Sequence, residues 1–131
     1  MTDAEAVSDA FDALDGACES VDPPTLVELF VPDDDATFWG SAISEAAVGP
    51  ERLAVVAAAL AAAPGSFRIM WTERRVTVVG DTGWVNAEGI AQWDRGDGRS
   101  HELPYRATVV FVRRDGRWLC HTHNGSEPSA D

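Results

Sequence analysis

The sequence predicts an α+β fold, with helices in the first half and a meander of antiparallel strands in the second. Two observations carry this. Up to Leu60 the apolar residues recur at three- and four-residue steps, whereas from Phe67 onward the chain is β-prone and its apolar residues tend to alternate. The pairs and clusters Gly80-Asp81, Arg95-Gly96-Asp97-Gly98 and Asp115-Gly116 then cut the second half into long segments that can turn back on one another. With 131 residues, 45% of them hydrophobic and 24% charged, residues 1–131 are expected to form a single domain with one core.

The elements follow in order. Thr2-x-x-Glu5 has the form of a capping box. Behind it Val7, Ala10, Phe11, Leu14, Cys18 and Val21 form one face of an amphipathic helix. Asp22-Pro23-Pro24 ends that helix, and Leu26, Leu29 and Phe30 suggest a short second one from Pro24. Pro32 and Asp33-Asp34-Asp35 break the chain before a short strand at Ala36–Gly40. A third helix starts with Pro50 at its first position and carries Leu53, Val56, Ala57 and Leu60 as its stripe; Pro64-Gly65 stops it. Phe67–Thr72, Arg74–Val79, Trp84–Trp93, His101–Val112 and Arg117–His123 read as strands, and Ser126–Asp131 as a polar tail.

Charge narrows the function. Ten basic residues, all Arg, face 22 acidic ones, for a net charge of -12. Such a surface repels phosphate backbones and anionic lipid, so neither a nucleic-acid nor a membrane partner is expected. The start, Met1-Thr2-Asp3-Ala4-Glu5, lacks the basic and apolar regions of a signal peptide. The longest apolar run, Leu53–Pro64, is shorter than the ~20 residues that span a bilayer. A soluble cytoplasmic protein with reduced thiols at Cys18 and Cys120 is the expectation.

Leu29-Phe30 ahead of Asp34-Asp35-Ala36-Thr37, then Gly49-Pro50-Glu51, then the stretch from Arg106 to Trp118 and the closing His121-x-His123-x-x-Ser126-x-Pro128, taken in this order, resemble the nuclear-transport-factor-2-like superfamily and within it the SnoaL-like and ketosteroid-isomerase-like branch. Leu29-Phe30 followed by Asp34-Asp35-Ala36-Thr37 is similar to that branch's lead into its first strand. Gly49-Pro50-Glu51 resembles the start of its third helix. Arg106-x-Thr108-Val109-x-Phe111, running on to Arg113-Arg114-Asp115-Gly116-Arg117-Trp118, resembles its last hairpin. His121-x-His123-x-x-Ser126-x-Pro128 resembles the close of SnoaL-like proteins and of the calmodulin-dependent kinase association domain. The resemblance implies a cone-shaped curved antiparallel sheet wrapped around three N-terminal helices. It also implies an apolar pocket for a small molecule inside the cone and a homodimer through the outer sheet face. It does not imply ketosteroid isomerase activity: the positions of that enzyme's Tyr and two carboxylates fall at Leu14, near Gly40 and near Thr108. In the family the final His stands an even number of residues after the Trp. Here His121 and His123 lie three and five after Trp118, so either a bulge intervenes or both point to the other face.

For the site, pairing Ala87 with Arg106 and Val110 with His121 gathers Val85, Ala87, Gly89, Trp93, Arg106, Thr108, His121 and His123 on one face. His123, then His121, are the candidate catalytic acid–base groups, because imidazole titrates nearest neutrality. Arg106 and Thr108 are candidate polar anchors for ligand, with Trp39, Trp71, Trp93 and Tyr105 as walls. A competing reading pairs Arg106 with Glu88 or Glu102 and leaves the histidines as hydrogen-bonded strand residues. His121-x-His123 has no evident third ligand, so no metal is expected, and no cofactor either. Trp84, Asn86, Glu88 and Ile90 fall on the opposite face, where the dimer contact is expected. The expected function is therefore binding of a small apolar molecule, with isomerase, cyclase or hydratase chemistry on a carbonyl-bearing compound. The alternative is a non-catalytic dimerisation or accessory module.

Overall fold

A computed structural model describes residues 1–131. Helix α1 spans Asp3–Ser20, and the capping-box residues meet: the Glu5 N–H donates to the Thr2 hydroxyl oxygen at 3.1 Å. Val7, Phe11, Leu14 and Ala17, spaced to share one face, are its buried residues. Helix α2 is a single short segment, Pro23–Glu28, that buries Leu26. Strands β1 (Thr37–Trp39) and β2 (Ala46–Val48) form a small hairpin. Helix α3 (Pro50–Ala62) starts on Pro50, as the sequence predicts, and buries Leu53, Val56 and Ala57.

The second half is a meander of β3 (Ser66–Val79), β4 (Thr82–Asp94), β5 (Ser100–Arg114) and β6 (Arg117–Ser126). The six strands make one sheet in the order β2-β1-β6-β5-β4-β3. All neighbours are antiparallel except β1 and β6, which run parallel, so the sheet is mixed. It curves without closing, and α1 packs across its concave side against β3, β4 and β6. The two β segments predicted at Phe67–Thr72 and Arg74–Val79 are one strand with a bulge between Trp71 and Glu73. Opposite that bulge stands Gly89, where a Cβ would run into the Met70 carbonyl oxygen, so the tight bend of β3 over β4 depends on a missing side chain.

The core lies between α1, α2, α3 and the inner sheet face. Val85, Ala87 and Ala91 of β4, Ala107, Val109 and Phe111 of β5, and Cys120 of β6 are all buried there. Four of these positions are Ala or Cys, and Gly89 lies in the same row of β4. Small side chains in the middle of a curved sheet leave space that the helices do not fill. No helix is long and apolar enough to cross a membrane.

Candidate functional site

The unfilled space is a cavity of about 350 Å³ in the cone. Three groups of residues wall it. Helix α1 supplies Phe11, Leu14, Asp15, Cys18 and Glu19; β1 and the loop after it supply Phe38, Ser41 and Glu45; the sheet supplies Phe67, Trp71, Trp93, Tyr105, Val109 and His123. The volume falls in the lower part of the roughly 300–1,000 Å³ range of small-molecule sites.

The register of β5 decides which predicted residues reach it. Ala87 pairs with Ala107, one residue away from the expected Arg106. Because side chains alternate, that single step sends Arg106 and Thr108 to the outer face and brings Tyr105, Ala107 and Val109 inside. Arg106 there donates to Glu88 at 3.1 Å, its competing reading, and the Thr108 hydroxyl donates to Asn86 at 2.7 Å. Trp39 follows the inward Phe38 and is correspondingly turned out, about half exposed.

The two histidines separate. Val110 pairs with Thr122 and Phe111 with Cys120, so His121 is the extra residue of a bulge. Its ring is held sideways by Thr122 Oγ1 at 2.7 Å and Asp35 Oδ1 at 3.1 Å, away from the cavity. The bulge resets the alternation, and His123 then faces inward opposite Val109. Its ring stacks on Phe38, centroids 4.8 Å apart. Part of the residue is reached through the cavity, but Nδ1 is buried without a hydrogen-bond partner. Burial pushes the imidazole down to about 4, against the opposing pull of backbone groups of Trp39 and of His123 itself. At neutral pH it is an uncharged ring.

Of the eight predicted site residues, His123, Trp71, Trp93 and Tyr105 converge on the cavity. Tyr105 stands edge-on to Trp71 and Phe67, and burial drives its phenol up to about 12, so it stays protonated and can donate. The Trp71 indole N–H is buried and unpaired. It lies near Asp15 and lowers that carboxyl somewhat, without completing a hydrogen bond.

Sequence reasoning missed Asp15. Burial raises its pKa, and Glu19 and Asp12 raise it further, outweighing Trp71 and Arg74. Its signal was present: Asp15 sits four residues after Phe11 and directly after Leu14, at the border of the apolar stripe of α1. A carboxyl at such a border is carried toward whatever the stripe packs on. The cavity is therefore lined by a carboxyl of raised pKa, a neutral imidazole and a phenol O–H, beside the buried indole of Trp71. Asp33, Asp35 and His121 form a second cluster of metal-type ligands outside it, which the sequence spacing did not show; both Asp33 oxygens are held there by Arg114.

The profile of a SnoaL-like domain matches residues 7–130. The chain belongs to the SnoaL-like domain family. Solved structures of the nuclear-transport-factor-2-like superfamily share its fold. A protein of that superfamily from Streptomyces avermitilis, named as a proposed dehydratase, is 26% identical with a TM-score of 0.79, covering 98% of this SnoaL-like chain and 97% of its own. A proposed aromatic ring hydroxylase from Novosphingobium aromaticivorans is 23% identical (TM-score 0.82, 98% and 90% covered). A proposed calcium/calmodulin dependent protein kinase II association domain from Xanthomonas campestris is 20% identical (TM-score 0.82, 100% and 91% covered). Among curated proteins none matches this chain.

Proposed function

We propose that this SnoaL-like protein binds an apolar, carbonyl-bearing small molecule in the cone and moves a proton on it, as an isomerase, cyclase or hydratase does. One observation carries the reading: the cone is hollow, and a partly buried carboxyl of raised pKa opens into the hollow beside neutral hydrogen-bonding groups. Perturbed titratable groups in a concave apolar site are the usual mark of acid–base chemistry. Asp15 is the group that takes or gives the proton. The Tyr105 O–H and the Trp71 N–H donate to the carbonyl oxygen as charge builds on it. His123 replaces its predicted acid–base role with that of a neutral hydrogen-bonding partner. The dehydratase and hydroxylase names of the similar structures agree with small-molecule chemistry in such a shell.

The test uses 2-tetralone, an apolar ketone with acidic carbon-bound protons. Proton NMR in deuterated buffer should show exchange at the carbon beside the carbonyl, faster with protein than without. Asp15→Asn should abolish the acceleration while the ketone still binds. Exchange that persists unchanged in Asp15→Asn would remove the carboxyl from this role. We also propose a homodimer through the outer face around Trp84, Ile90 and Val110; sedimentation at the mass of one chain would contradict it.

A further inference from the structure

The charges around the cavity are uneven. Asp15, Glu19, Glu45, Asp94 and Glu127 line it, against only Arg68 and Arg95. Both arginines are already engaged, Arg68 with Gln92 at 3.0 Å and Arg95 over the Trp93 ring at 5.4 Å. Three of the carboxylates are engaged too: Glu45 accepts from the Ala42 N–H, Glu127 from the Ser41 hydroxyl, and Asp94 from the Gly96 N–H. Asp15 and Glu19 are in no salt bridge. Arg74, whose charge is felt at Asp15, is held at 2.8 Å by Asp12.

Asp15 and Glu19 stand one helical turn apart on α1, where like charges repel. The protein supplies no free cation to relieve them. The same space has an aromatic lining of Phe11, Phe38, Phe67, Trp71, Trp93 and Tyr105, surfaces that attract a cation through their faces. Independently of the acids, His123 is one of the residues lining this cavity, and its Nδ1 is buried without a hydrogen-bond partner.

We propose that this carbonyl-bearing ligand is also an amphiphilic cation, an apolar ring system carrying a protonated amine, with its ammonium set against Glu19 on the Asp15 side of the cavity and its rings among the aromatic walls. This rests on the reading of the cavity as a small-molecule site and names the class of molecule it takes. Uncharged analogues lose the carboxylate contact, and anionic ones meet the acidic rim. The His123 ring, uncharged at neutral pH, does not repel the ammonium and offers it an acceptor at its unprotonated nitrogen.

The experiment measures binding of three probes of one shape to the full chain by calorimetry at neutral pH: 2-naphthylmethylamine, 2-naphthylmethanol and 2-naphthoate. The ammonium is expected to bind at least tenfold more tightly than the alcohol, and the carboxylate most weakly. Glu19→Gln should cut the ammonium-over-alcohol ratio at least threefold and leave the alcohol alone. Glu51→Gln, which removes the same charge from the start of α3 outside the cavity, should leave the ratio unchanged. An equal loss in both variants would mean that the protein's net charge alone draws the cation, and would overturn the proposal. So would an alcohol that binds as well as the amine, although the small-molecule reading would then stand. Failure of all three probes to bind at millimolar concentration would sink both.

Discussion

The Tyr105 hydroxyl occupies the place where a side chain of residue 125 would begin: a Cβ on Gly125 would collide with the phenol oxygen. The inward position of a hydrogen-bond donor on β5 is thus permitted by a glycine on β6 that pairs with Ala107, two residues along β5 from Tyr105.

Gly125→Ala should therefore push Tyr105 from its seat. Overpacking of this kind costs about 1–3 kcal/mol. Urea denaturation should show that loss, and binding of 2-tetralone should weaken alongside it. A variant of unchanged stability and unchanged affinity would mean that Tyr105 has other room to move into.

Asp15→Asn should stabilise the fold at neutral pH. A carboxyl whose folded pKa lies above its unfolded one holds its proton more tightly when folded. Stability then falls as pH rises through the gap between the two values, and above it the charged, partly buried group is a net burden. The gain of the variant should be seen in urea melts at pH 7 and should vanish near pH 3. Loss of stability at pH 7 would show that the carboxylate makes a compensating contact.

His123 has the opposite pH signature. Its folded value of about 4 lies below the ordinary 6.5, so the unfolded chain binds the proton first as pH falls. Stability should decline from pH 6.5 toward pH 4, by as much as about 3 kcal/mol at 1.36 kcal/mol per unit. His123→Gln should flatten that slope. An NMR titration that finds His123 protonating near pH 6.5 would refute its burial.

Arg106→Ala should change little. The Arg106–Glu88 pair is exposed, with side-chain accessibilities of 60% and 47%, and surface pairs contribute about 0–1 kcal/mol. Ligand binding in the cone should be unaffected. A large drop in affinity for 2-tetralone would place Arg106 in the site after all.

The periodicity change at the middle of the chain made the order of helices and long strands readable, because helix and strand faces are written at different spacings. Strand β2 left no such trace: Ala46-Ala47-Val48 is too short to alternate, and its existence depends on pairing with β1. The side of the sheet was not readable either. Both hairpin registers turn on a single residue, and neither the Ala87–Ala107 pairing nor the extra residue at His121 is marked by a glycine or proline. For that reason Arg106 and Thr108 were expected inside with His123 and Tyr105, and only the folded register separates the two pairs. Asp15 was legible in principle, as a carboxyl flanking an apolar stripe, but only the cavity shows what that stripe faces.

The sheet does not close, and β3 is one of its two edges. A strand of 14 residues with one side unpaired is a template on which another chain could grow into an aggregate. Three features of β3 oppose this. The bulge between Trp71 and Glu73 breaks the regular row of free amides and carbonyls. Glu73, Arg74 and Arg75 put charge directly after the break, and Arg68 puts it before. The irregularity that bends the wall of the cavity thereby also keeps Phe67, Met70 and Val79, all exposed on the same strand, from becoming the seed of a cross-chain sheet.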